Sequence, residues 1–97
     1  MPAPRALQSL GIKIFITEYS FWSSKPENSA ALRYQIEKQI SNEAGAGIRA
    51  SAAKKIFSDA LLLRECLTYV AFKAKNVDTQ IIAQARSLLH ALSDTPH

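Results

Sequence analysis

The chain has 97 residues, 47% of them apolar, a formal charge of +4 and a pI near 9.5. That length bounds it to a single domain, 1–97, with short flexible ends expected at about 1–4 and 94–97, and the apolar content argues against an intrinsically disordered chain. A lone cysteine, Cys66, excludes an internal disulfide framework and points to a reducing intracellular compartment, cytoplasmic or nuclear. No run reaches the ~18 apolar residues of a membrane span, so no membrane partner is expected, and MPAPRALQSLG lacks the apolar core of a secretory signal.

Pro2 and Pro4 read as an extended lead-in, with Pro4 also able to open a short helix through Leu10 that Gly11 stops. Residues 12–22, IKIFITEYSFW, carry two periods at once. As a strand, Ile12, Ile14 and Ile16 share one face, and Lys13, Phe15 and Thr17 the other. As a helix, Ile12, Phe15, Ile16 and Tyr19 share a face. The chain offers no second strand, and a lone strand leaves its backbone groups unpaired. The segment is therefore a helix or a strand paired with another molecule, with the helix favoured.

Ser24-Lys25-Pro26-Glu27 has the capping-box pattern S-x-x-E with proline in the first turn, which opens a helix over about 24–43. Leu32, Ile36 and Ile40 give it a narrow stripe, fit for the outside of a bundle. Gly45 and Gly47 then read as its end and a turn. Ser51 is a plausible N-cap for the next helix, over about 49–75. There Ala53, Ile56, Ala60, Leu63, Leu67, Val70 and Ala74 alternate steps of three and four. Phe57, Leu61, Cys66, Ala71 and Phe72 widen that stripe, and Leu62 and Tyr69 lie off it. A helix this apolar, roughly 40 Å long, belongs at the centre of a bundle or of an oligomer. Asp78 caps a final helix over about 78–93, with Val77 stapled to Ile82. The fold expected is all-α: a small bundle of three helices plus the 12–22 segment.

Chemistry is sparse. Cys66 among Leu62, Leu63 and Val70 reads as a buried, inert thiol. His90 falls on a polar helix face and His97 in the tail, and with a single cysteine they give no zinc spacing. A Cys66–His90 pair has nothing to orient the histidine. The carboxylates are scattered, and Gly45-Ala46-Gly47 lacks the rest of a phosphate-binding motif. No enzyme and no cofactor are expected.

What remains is surface. Phe15, Tyr19, Phe21 and Trp22, with Leu62 and Tyr69 on the side of the long helix, form a candidate partner interface, because large apolar patches mark contacts. Arg49, Lys54 and Lys55 would sit at the long helix's N-terminus, where an anion would relieve their repulsion from the helix dipole. They are the candidate anion or nucleic-acid contacts. Residues 42–52, NEAGAGIRASA, resemble the first loop of archaeal histones, over about a tenth of the chain. The order strand, helix, turn, helix is similar to the ribbon-helix-helix fold, whose paired strands would present Lys13, Phe15 and Thr17 to the major groove. Both helices are longer than that family's, and the histone pattern needs more residues than the interval from Ser51 to Val77 supplies. The expected function is a non-catalytic interaction module, self-associating or docking on a helical or acidic partner. The alternative is a dimeric DNA-binding protein.

Overall fold

A computed structural model describes residues 3–93, so the expected flexible ends lie outside it apart from Ala3 and Pro4. Helix α1, Arg5–Leu10, follows Pro4, and Gln8 Nε2 donates to the Ala3 carbonyl at 2.7 Å. Gly11 stops α1 as expected: its φ of +94° suits a residue without Cβ. Its N–H closes on the Leu7 carbonyl at 2.8 Å.

The 12–22 segment is helical, in two short pieces: α2, Ile12–Thr17, and α3, Tyr19–Ser23. The paired-strand alternative is overturned, for no strand occurs among the described residues. The helical period turns Phe15 and Ile16 fully inward, which a two-residue alternation would have put on opposite faces.

Helix α4 spans Asn28–Glu37, starting later and stopping earlier than expected. Ser24 does not cap it. Its hydroxyl donates to the Phe21 carbonyl at 2.6 Å and so closes α3 instead. The end is a Schellman turn: Ile40 N–H bonds the Gln35 carbonyl at 2.9 Å and Gln39 N–H the Ile36 carbonyl at 3.1 Å. Gln39 takes the left-handed position usually given to glycine, with φ +59°.

Helix α5, Glu43–Phe57, reverses the reading of the glycines. Asn42 is the N-cap, its side-chain oxygen accepting from Gly45 N–H at 2.9 Å, so Gly45 and Gly47 lie inside the helix rather than ending one. The proposed cap Ser51 is an exposed mid-helix residue.

The single long helix over 49–75 is also corrected. It breaks at Ser58–Asp59, between α5 and α6, Ala60–Thr68. The Asp59 carboxylate accepts from the N–H groups of Leu61 and Leu62 at 3.0 and 3.2 Å. Ser58 donates back to the Lys54 carbonyl at 2.6 Å. Short polar side chains that bond nearby backbone favour a cap over a continuing helix. Beyond Thr68, α6 widens into a π-helical turn, Tyr69–Lys73, closed by Ala74 N–H on the Tyr69 carbonyl at 2.8 Å. Helix α7, Thr79–Ser93, starts at Asp78 as expected, whose carboxylate accepts from Gln80 N–H at 2.9 Å.

The centre of the bundle is α5. Helices α1, α3, α4 and α6 pack on it, while α7 covers α6, its π turn and α2. The core joins Leu7, Leu10, Phe15, Ile16, Ile56 and Leu67, all fully buried. No described helix is long and apolar enough to cross a membrane.

Candidate functional site

The surface that stands out runs along the outer side of α6 and its π turn. Leu61, in the first turn, is 81% exposed, and Phe72, in the π turn, is 63% exposed. They are eleven residues apart, about three helical turns and about 16 Å along the axis. Why they face outward follows from the local sequence. Leu61, Leu62 and Leu63 are consecutive, so they fan over about 200° of the helix. Leu62 and Leu63 are half-buried against the core, and the first leucine is left outside. At the other end the π turn carries Val70 and Ala71 inward and leaves Phe72 out. Arg86 of α7 fixes that ring from one side. Its Nε donates to the Ala71 carbonyl at 3.2 Å, and its guanidinium lies 5.0 Å from the Phe72 ring centroid. A cation over an aromatic face is worth about 0.5–1 kcal/mol at an exposed site.

Of the six candidate interface residues, Phe15 and Trp22 are core, at 0% and 2% exposure, and leave the surface set. Tyr19 is half-buried, 5.1 Å from Phe57 and 5.8 Å from Phe15 by ring centroid. Burial raises its phenol pKa. Phe21 stacks on Tyr34 with centroids 3.8 Å apart and planes at 10°. The Tyr34 hydroxyl donates to the Glu18 carboxylate, and that hydrogen bond is the main reason the phenol is held above its usual pKa. These contacts fasten α3 to α4 and α5, so most of the aromatic surface seals the chain against itself. Leu62 and Tyr69 are half-buried. The sequence therefore missed Leu61 and Phe72, both placed inside a continuous stripe. The signal that could have found them is Ser58-Asp59, a helix-start pair in mid-stripe.

The candidate anion contacts separate. The half-buried Arg49 turns inward, its Nε donating to the Leu10 carbonyl at 3.3 Å and its guanidinium to the Ser41 hydroxyl, so it ties the end of α1 to the start of α5. Lys54 and Lys55 are exposed and line different depressions on α5. Both lie in the last turn of α5, not the first turn of a helix. There the dipole's negative end favours them, so the repulsion from a helix N-terminus that an anion was expected to relieve is absent. The strand that the ribbon-type DNA reading needs is helical.

Cys66 is fully buried in α6, and burial pushes its thiol up to about 12, with Glu65 adding to the shift. Such a thiol is protonated and unreactive at neutral pH. Among the described residues no three His, Cys, Asp or Glu side chains converge as a metal site would need. Compared with protein-family models, curated proteins and solved structures, the chain matches none.

Proposed function

We propose that the protein is a non-catalytic interaction module that self-associates through the outer side of α6. The observation that carries this reading is the exposure of Leu61 and Phe72, large apolar groups at the start of α6 and in the π turn that continues it. A two-fold contact is self-complementary. An antiparallel pair of α6 helices sets Leu61 of each copy against Phe72 of the other, and both anchors leave water. Phenylalanine is enriched at interfaces relative to the rest of the surface. Burying one fully exposed leucine or phenylalanine side chain is worth about 1.5–3 kcal/mol. Light scattering on the wild type and on the Leu61→Ser/Phe72→Ser variant tests the reading. A dimer mass for the first and a monomer mass for the second is expected. A variant that keeps the dimer mass places the contact elsewhere.

A further inference from the structure

We propose that the groove between α3, α4 and α5 binds a small carboxylic acid with an apolar tail. The groove encloses about 430 Å³, within the roughly 300–1,000 Å³ of small-molecule sites. It exists because α4 and α5 meet there through methyl groups: Ala31, Ala50 and Ala53 form its floor, each 7% exposed or less. Trp22 and Phe57 add aromatic wall. An apolar tail laid on this surface leaves water, which is the favourable term.

Charge selects the head group. Lys25 and Lys54 stand at the rim, and neither ammonium is engaged by another described residue. Glu27 and the partial negative pole of the α5 C-terminus at Phe57 and Ser58 oppose them, and the two ammonium groups leave the balance positive. The start of α4 also opens on the groove at Pro26, Glu27 and Asn28, with no side chain capping it. Its unpaired N–H groups favour an anion. The third feature is Trp22 itself. It is 2% exposed, yet its indole N–H has no acceptor. The nitrogen itself is sealed beneath the groove surface, so the ring serves as apolar wall and as a reporter of occupancy, while the lysines meet the head group. The lining has few other polar groups, so a free phosphate, which needs several donors and no apolar wall, fits it poorly.

Trp22 is the single tryptophan of the chain, so its indole N–H gives one unambiguous amide-type NMR signal. Titration of the 15N-labelled full chain with octanoate, and separately with octanamide, is the test. Octanoate shifts that signal saturably. The uncharged amide binds about tenfold more weakly, the equivalent of one charge-assisted contact of ~1.4 kcal/mol. The Lys25→Gln/Lys54→Gln variant, altered only at exposed positions, keeps the wild-type spectrum and loses the preference for the acid. Absence of a saturable indole shift overturns the site. Equal binding of acid and amide, or an unchanged preference in the lysine variant, overturns the carboxylate assignment.

Discussion

Helices α5 and α6 come from one apolar stripe in the sequence, yet they end in opposite situations. Helix α5 is built largely of small residues, and Ala46, Ala50, Ala52 and Ala53 are all buried along with Ile56. Methyl side chains let α1, α3 and α4 approach it closely, so it is covered on most sides. Gln35 of α4 marks how near they come: fully buried, it donates to the Ala46 carbonyl at 2.9 Å. Helix α6 carries four leucines in nine residues and buries only Cys66 and Leu67 fully. Its neighbours are α5 and α7, and two neighbours cannot cover three consecutive leucines. Burial in this chain follows the number of helices that can reach a position, not the hydrophobicity of the residue there. Leu61 of α6 is left outside while the alanines of α5 are buried, and the interface reading rests on that inversion.

The comparison breaks if α6 is not anchored in the core. Leu67 is its fully buried residue on the main stripe. Leu67→Ala should cost about 2–5 kcal/mol in chemical denaturation. A loss below about 0.5 kcal/mol is what a surface change gives, and would show that α6 is peripheral.

Cys66 probes the same anchor by pH. Its thiol titrates near 12 when folded, against an ordinary value of 9.0. The unfolded chain therefore loses this proton first, and the contribution, fully present below about 9, falls away as pH rises toward 12. Stability followed by urea denaturation should decline over that window, and Cys66→Ala should flatten the decline. In the native state at pH 8, iodoacetamide should leave Cys66 unmodified until the chain unfolds.

The break between the two helices is the next point to press. Asp59→Ala removes the carboxylate that holds the first N–H groups of α6, at an expected cost of about 1 kcal/mol. A neutral or stabilising outcome in thermal unfolding would mean that α5 and α6 prefer to run on as one helix.

The smallest effect sharpens the account of α5. Gly47 lies inside that helix with nothing within 4 Å of where a Cβ would stand. Gly47→Ala should stabilise by about 0.4–1 kcal/mol. At Gly45 an added Cβ would meet Arg49 Nη1 at 3.1 Å and the Asn42 cap at 3.3 Å, so the same change there should give less or reverse sign.

The all-α fold, the stop at Gly11, the cap at Asp78 and the buried thiol were legible because each rests on local chemistry. The stripe was also legible: Ala53, Ile56, Leu67 and Val70 are buried although the helix breaks among them. What sequence could not show was which of two local signals wins. Ser24 through Glu27 has the spacing of a helix start, but the serine is already committed to the end of α3. Gly45 and Gly47 look like a helix end, but Asn42 supplies a start just before them. Gln39 ends α4 in a conformation for which glutamine gives no sequence signal. These choices set the phase of α5 and α6, and so exchanged Leu61 and Phe72 with Phe15 and Trp22 among the exposed large apolar residues, which also include Ile36 and Ile48.

The central claim is that the outer side of α6 meets a second copy of the chain. Sedimentation equilibrium of the wild-type protein over micromolar concentrations measures it directly. The account predicts a mass of twice 10.7 kDa, approached as concentration rises. A mass of 10.7 kDa throughout that range would contradict it.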